Sequence, residues 1–206
     1  MGLALAKGNT DTLLFTADVK AERKWLDDEM SLGVGGSYGE NNGDKDNEAV
    51  KGYAQWNHLF TERFYSYVRL DALHDAIADV EYRVTLSPGV GYYFIKNEKT
   101  KLSGEVGPGV IFEKQGPDEK QYFTARVAEK LEHKISDKAR VWESVEFLPQ
   151  VDNLDNYIIN AEVGAEAALT KKLSLRVVAQ DTYDSEPAPG RKDNDIKLIS
   201  GITLKF

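Results

Sequence analysis

The sequence predicts an all-β protein, a closed antiparallel up-and-down transmembrane β-barrel of about twelve strands. Apolar residues recur at every second position along most of the chain, which is the period of a strand with one apolar face. The chain has no run of about 18 apolar residues that would form a transmembrane helix. Its connections also alternate in length and charge, as they do in outer-membrane barrels.

The C-terminal segment shows the clearest alternation. One of its faces is apolar except at Ser200, and the apolar members are Ile196, Leu198, Ile202, Leu204 and Phe206. A final strand that ends on an aromatic residue is typical of bacterial outer-membrane barrels, in which the barrel-assembly machinery reads the closing strand. We therefore predict that Ile202, Leu204 and Phe206 form the assembly signal.

The same alternation predicts the other strands in chain order. It is strong in residues 13–22, 30–38, 82–94, 102–112, 157–169 and 173–179, and weaker near residues 2–7, 48–60, 64–73, 121–133 and 139–149. With the C-terminal segment this gives an even number of strands, which suits a closed barrel with both chain ends on one side. No linker rich in Pro or Ser divides the sequence, so residues 1–206 are predicted to form one domain.

Two hairpins allow a prediction of register. If the turn near residues 95–100 pairs residues whose numbers sum to 196, Phe94 meets Leu102, Val90 meets Val106 and Arg83 meets Glu113. Pro88 then lies opposite Pro108, which predicts a shared bend in the wall, because proline lacks a ladder donor. A sum of 272 in a later hairpin would place Glu129 opposite Glu143 on the apolar face. We favour a β-bulge that turns one of them inward, and the alternative is a polar contact with a partner chain or a periplasmic protein.

The connections predict how the barrel is oriented. Those near residues 24–28, 61–63, 95–100, 134–138 and 170–172 are short and mostly carry Lys or Arg. Those near residues 39–47, 74–79, 115–119, 150–155 and 184–194 are generally longer and are acidic or rich in Asn. Because outer-membrane barrels have short periplasmic turns and longer outer loops, both termini are expected in the periplasm.

Composition excludes several functions. The 206-residue chain has no cysteine, so disulfides and thiol chemistry are absent. Its formal net charge of −8 argues against nucleic acid as a partner, because no basic stripe is available to release counterions. We expect no cofactor.

Several segments together are similar to the YdiY-like family of salt-induced outer-membrane proteins, a domain of unknown function. The similar segments are Leu3–Asp11, Tyr82–Tyr92, Gly104–Gly109, Asp152–Tyr157 and Tyr183–Gly190, with the terminal Phe206. The resemblance spans essentially the whole chain and implies an outer-membrane barrel. It supplies no substrate, reaction or catalytic residue. Glu129 departs from it by standing where the alternation requires an apolar residue.

Catalysis is the first candidate function, because some twelve-stranded outer-membrane barrels are phospholipases with a serine–histidine pair on the lipid-facing surface. The chain has three histidines, which are His58, His74 and His133. None of them has a serine partner that the sequence pattern places beside it. We therefore assign no catalytic residue and expect the histidines to lie near the membrane interfaces, with lipid hydrolysis as the least favoured alternative.

The second candidate is a channel, because the predicted inner face carries charges of both signs. The predicted lumen-lining residues are Asp18, Lys20, Arg69, Asp71, Glu81, Arg83, Glu105, Glu113, Arg126, Arg140, Glu146, Glu162, Glu166 and Arg176. In a pore these side chains set selectivity, whereas in a plugged barrel they pair across the lumen. Tyr53, Tyr65, Tyr67 and Tyr93 are expected to narrow the lumen further.

The third candidate is cation binding at acidic outer loops, since calcium prefers oxygen ligands. The candidate ligands are Asp44, Asp46, Glu48, Asp152 and Asp155. We predict either a narrow channel for small solutes or ions, or an envelope-maintenance protein; the alternative is a non-conducting structural or interaction barrel. Expected partners are outer-membrane lipids, lipopolysaccharide, the barrel-assembly machinery and divalent cations.

Overall fold

The computed structural model describes residues 2–6 and 12–204. Its strands form one 12-stranded antiparallel sheet in which each strand pairs with the next in the sequence. The strands are β1 Gly2–Ala6, β2 Thr12–Lys24, β3 Asp28–Asn41, β4 Asp44–Leu59, β5 Phe64–Asp75, β6 Val80–Lys96, β7 Thr100–Gln115, β8 Asp118–Ser136, β9 Ala139–Pro149, β10 Tyr157–Ala168, β11 Leu173–Asp184 and β12 Asn194–Leu204.

The first and last strands come together, since β1 lies beside β12 as well as pairing with β2. The sheet therefore curls into a nearly closed up-and-down barrel, which confirms the predicted fold class. Ile202 and Leu204 of the predicted assembly signal lie on β12, each with 51% of its surface exposed. Phe206 lies outside the described residues. Among those residues, no helix is both long enough and apolar enough to cross a membrane.

The two ends of the barrel differ. The terminal end carries Leu204 and the short connections 25–27, 60–63, 97–99, 137–138 and 169–172, and β1 runs away from this end. The loop end carries the connections 42–43, 76–79, 116–117, 150–156 and 185–193. The longest of these, 185–193, folds back on the barrel, because Ala188 is only 3% exposed and packs with Pro189 beside Gly116.

Alternation places apolar side chains on the outside of this barrel. On β5, Tyr65 and Tyr67 point inward and are each 1% exposed, whereas the outward Val68 and Leu70 are 42% and 45% exposed. A protein in water would bury the aliphatic face instead. An apolar outer wall around a polar interior is the arrangement of a transmembrane barrel.

The β6–β7 hairpin follows the predicted register with one correction. Val90 pairs with Val106 and Arg83 pairs with Glu113, as predicted. A β-bulge between Tyr93 and Ile95 places Ile95 opposite Leu102. The predicted pairing of Phe94 with Leu102 is therefore wrong.

The two prolines of this hairpin lie in strands rather than in loops, Pro88 in β6 and Pro108 in β7. The ladder is interrupted around them, because the pairs on either side are Leu86 with Val110 and Val90 with Val106. A proline has no N–H to donate, so two facing prolines cannot complete the ladder. This interruption supports the predicted bend in the wall.

The predicted pairing of Glu129 with Glu143 is wrong by two residues. Glu129 pairs with Val145 and Leu131 pairs with Glu143, with a register shift between Lys134 and Ser136. No bulge lies at Glu129 or Glu143, so the predicted β-bulge is also wrong, and both carboxylates stay on the outer wall as diagonal neighbours on β8 and β9.

Candidate functional site in the barrel interior

A hydrogen-bonded network crosses the interior at mid-height. Glu105 on β7 accepts hydrogen bonds from Gln55 Nε2 at 2.7 Å, Tyr65 Oη at 3.0 Å and Arg126 Nη1 at 2.7 Å. Arg126 also donates to Glu146 at 2.5 Å. These five residues, which we call the inner network, lie on β4, β5, β7, β8 and β9, and Gln55 and Glu105 are on strands that are not neighbours.

Further polar side chains extend the inner network around the barrel. Arg69 forms a two-point ion pair with Asp71, at 2.6 and 2.8 Å, and also donates to Gln55 at 3.0 Å. On the opposite side, Asn160 donates to Glu146 at 3.1 Å. Such paired and hydrogen-bonded charges satisfy one another when they are removed from water.

Two glycines on β6 let tyrosine rings fill the lumen. A side chain at Gly91 would collide with the ring of Tyr65, and one at Gly89 would come within 2.6 Å of the Tyr67 hydroxyl. The rings therefore lie directly over the β6 backbone. With Tyr93 they form a buried cluster, and the ring centroids of Tyr65 and Tyr93 are 5.0 Å apart.

An apolar cluster fills the interior closer to the loop end. Ile111, Leu148 and Ile158 are 0%, 5% and 3% exposed and pack together on the inner faces of β7, β9 and β10. Tyr122 on β8 packs against them. Because these side chains face the lumen, this part of the barrel contains a small hydrophobic core.

An ion-pair cluster lies inside the loop end. Arg83 on β6 contacts Glu113 at 2.5 Å and Asp184 on β11 at 2.6 Å. Gln115 also donates to Asp184, at 3.3 Å. We call Arg83, Glu113, Gln115 and Asp184 the loop-end seal, because the pair between β6 and β11 joins opposite parts of the barrel.

One side of the interior is more open. Lys20 and Glu22 on β2 pair at 2.7 Å with side chains 46% and 52% exposed, and the Lys130 side chain is 48% exposed. Asp18 pairs with Arg176 at 2.7 Å, which ties β2 to β11 across the β1–β12 seam. These contacts leave solvated charges on the interior near the terminal end.

Two acidic residues of β10, Glu162 and Glu166, face the interior between β9 and β11. Glu162 accepts hydrogen bonds from Trp142 Nε1 at 2.7 Å and from Gln180 at 2.6 Å. Gln180 in turn accepts a hydrogen bond from Lys51 on β4 at 2.9 Å, which is another contact across the lumen. The remaining acid, Glu166, pairs with Arg140 at 2.8 Å.

The interior contains all but one of the side chains predicted to line it. Glu81 differs, because a register shift between Val80 and Tyr82 turns it outward, where it is exposed and pairs with Lys114. Sequence reasoning missed several interior residues that the structure uses. They are Gln55, Lys51, Asn160, Gln180 and Asp184. Most of them either have uncharged amide side chains or lie at the end of a strand. The alternation of charged residues along the strands therefore did not identify them.

The acidic residues considered for cations remain apart. Asp44, Asp46 and Glu48 lie at the start of β4, whereas Asp152 and Asp155 lie in the 150–156 loop. Within residues 2–6 and 12–204, no group of three or more metal-binding side chains forms. Lys45 contacts Glu48 at 2.5 Å, and this hydrogen bond raises the pKa of Lys45 at the hairpin tip. Glu48 therefore already has a cationic partner.

The histidines lie outside the interior or at its edge. His58 Nδ1 is 3.1 Å from Asp28 Oδ1, and His133 Nδ1 is 2.9 Å from the Thr100 hydroxyl. His74 Nδ1 contacts the backbone carbonyl of Glu81 at 2.8 Å.

Comparison with known proteins places the chain in a family. The model of a family described as "Protein of unknown function, DUF481" matches residues 1–206. The chain belongs to the DUF481 family. None of the curated proteins matches its sequence.

Two solved porins share the fold of this DUF481 barrel. The NanC porin, in a rhombohedral crystal form, superposes with a TM-score of 0.60 at 7% identity, covering 100% of this chain and 98% of the porin. The KdgM porin superposes with a TM-score of 0.51 at 9% identity, covering 96% of this chain and 92% of the porin. These likenesses show that the fold is that of outer-membrane barrels.

Proposed function

We propose that this protein resides in the bacterial outer membrane as a plugged barrel that serves envelope maintenance, with both termini in the periplasm. The carrying observation is that Glu105 binds side chains from β4, β5 and β8 across the lumen. The apolar cluster and the loop-end seal fill the next layers. Three packed layers in series support a barrel that does not conduct in this conformation.

The orientation is supported by the placement of the long connections. Loops 150–156 and 185–193 lie at the end opposite the termini, as outer loops do in outer-membrane barrels. The partners of the protein in this proposal are the outer-membrane lipids, the lipopolysaccharide of the outer leaflet, and the barrel-assembly machinery during insertion. Divalent cations would bridge the acidic rim to lipopolysaccharide without a closed coordination site.

Planar-bilayer recording tests the plug. We expect the wild-type barrel, shown to be folded by heat-modifiable gel migration, to give no steady open level. Removing the pair across the loop-end seal, in the double variant Arg83→Ala, Asp184→Ala, is expected to produce brief openings, because the bonds that join Asp184 on β11 to Arg83 on β6 and to Gln115 on β7 are both lost. The matched control is Lys20→Ala, Glu22→Ala, which removes an exposed interior pair and should stay silent.

Steady, discrete openings of the wild type would contradict the plug and favour the second candidate, a narrow ion path. That candidate is supported by the half-exposed Lys20, Glu22 and Lys130 near the terminal end. Charges along a water path set its selectivity. In that case the Lys20→Ala, Glu22→Ala variant would change the reversal potential measured in a salt gradient.

The membrane placement of the wall is tested by Glu129 and Glu143. Replacing either carboxylate by leucine is expected to raise the free energy of unfolding in lipid vesicles by about 1–2 kcal/mol, because a charged group leaves the lipid-facing surface. Denaturant titration in vesicles measures this. Glu98→Leu, in the 97–99 turn, is the control and should give no gain. An equal response of Glu98 and Glu129 would place the β8–β9 wall in water.

A further inference from the structure

A row of three polar side chains crosses the outer wall near the terminal end. In the strand register, Asp28 on β3 lies directly opposite His58 on β4, and His58 lies directly opposite Ser66 on β5. Directly opposed residues on one face of an antiparallel sheet have Cβ atoms about 4.5–5.5 Å apart. The row therefore has the order carboxylate, imidazole, hydroxyl, which is the order of a nucleophile, its base and the group that orients the base.

The hydrogen bonds define the roles of Asp28 and His58, whereas Ser66 is placed beside His58 by the β4–β5 register. Asp28 Oδ1 receives two contacts at 3.1 Å, from Trp56 Nε1–H and from His58 Nδ1. An ionised carboxylate only accepts hydrogen bonds, so its contact with His58 places the imidazole proton on Nδ1. In the neutral imidazole Nε2 is then the nitrogen without a proton, and it can take one from a hydroxyl.

Aromatic rings fix the imidazole on the surface. Its centroid is 6.0 Å from that of Trp56 and 5.2 Å from that of Phe60, which meets it edge to face. The side chains of His58 and Asp28 are nevertheless 41% and 36% exposed. The row is therefore held in place and open to the lipid at a membrane interface.

We propose that Ser66, His58 and Asp28 form a hydrolase site on the outer wall that cleaves the acyl ester of a glycerophospholipid. Ser66 Oγ attacks the ester carbonyl while His58 Nε2 takes its proton. The ester C–O bond breaks, His58 returns the proton to the departing lysophospholipid hydroxyl, and an acyl-Ser66 remains. A water molecule then attacks the acyl group by the same proton transfers, which releases the fatty acid and restores Ser66.

Ser66 and His58 are the catalytic residues of this site, and Asp28 is a positioning residue. Backbone N–H groups on this wall are engaged in the strand ladders, so the oxyanion lacks a dedicated backbone pocket. The expected turnover is therefore slow.

Two measurements on the refolded full-length barrel test the site. One is fatty-acid release from mixed micelles of detergent and phosphatidylethanolamine. The other is labelling by a fluorophosphonate, with the modified residue located by mass spectrometry. We expect labelling at Ser66, and a loss of both signals by at least about a hundredfold in Ser66→Ala and His58→Asn. His133→Asn is the matched control, since His133 contacts the Thr100 hydroxyl without a carboxylate, and should act like the wild type.

Asp28 is tested through its orienting role. Asp28→Asn should lower the rate by about a hundredfold or more with unchanged heat-modifiable migration, and Asp28→Glu should restore part of it. The inference is overturned if the folded wild type releases no fatty acid and takes no label at Ser66, or if release persists in Ser66→Ala. These outcomes are independent of whether the lumen conducts, so they leave the proposed plug untouched.

Discussion

Replacing Arg126 by alanine is expected to lower the free energy of unfolding by about 3–5 kcal/mol. The Arg126 side chain is 5% exposed and neutralises both Glu105 and Glu146. Its guanidinium also lies 5.1 Å from the centre of the Tyr67 ring. Without it, two carboxylates share a buried site with no cation between them, and uncompensated buried charge is among the most costly changes a protein can carry.

Denaturant titration in detergent micelles, followed by tryptophan fluorescence and gel migration, measures this loss. The matched control is Lys20→Ala, which removes one partner of an exposed interior pair and should cost less than about 1 kcal/mol. Neutralising the site completely, with Glu105→Gln and Glu146→Gln added to Arg126→Met, should recover most of the stability. Equal losses for Arg126→Ala and Lys20→Ala would show that the inner network is solvated.

Gly107→Ala is expected to lower the free energy of unfolding by about 1–3 kcal/mol, because the added methyl group would crowd backbone atoms of β6 that cannot move aside. A Cβ at Gly107 would collide with the carbonyl oxygen of Pro88 and lie 2.7 Å from the Cα of Gly89. These are backbone atoms, so no side-chain rotation can relieve the collision. The wall would have to separate at the point where the prolines already interrupt its ladder.

The control for this substitution is Gly36→Ala on β3, where the nearest atoms to an added Cβ are at 3.6 and 3.9 Å. That change should leave stability unaltered or raise it by about 0.5 kcal/mol, because alanine restricts the unfolded chain. Both variants are compared by the same titration. A loss at Gly36 as large as that at Gly107 would contradict the close approach of β6 and β7.

The sequence was sufficient for the strands and their two faces because alternation is local. Apolar residues such as Val68 and Leu70 could be assigned to the outer wall by counting along one strand. Contacts between distant strands, such as Gln55 with Glu105, could not be assigned in this way, because they depend on how far the sheet curls. Bulges also escape the pattern, and a single extra residue near Val80 turned Glu81 outward.

The row of Asp28, His58 and Ser66 on the outer wall also could not be assigned from the alternation along a single strand. His58 was visible in the sequence without a serine partner, because Ser66 is paired with it only through the β4–β5 register. Asp28 reaches the same imidazole through another hairpin. Three strands had to be aligned before a carboxylate, an imidazole and a hydroxyl lay side by side.

The ties across the interior have a consequence for the order in which the barrel forms. Neighbouring hairpins such as β6–β7 involve residues close in sequence and can form early. The bonds from Lys51 to Gln180 and from Arg176 to Asp18 join residues 129 and 158 positions apart, and they become possible only when the ends of the sheet meet. Closure therefore forms both of these contacts across the barrel in one late step. Opening the seam between β1 and β12 would require breaking those same bonds. We therefore expect them to slow the unfolding of the assembled barrel.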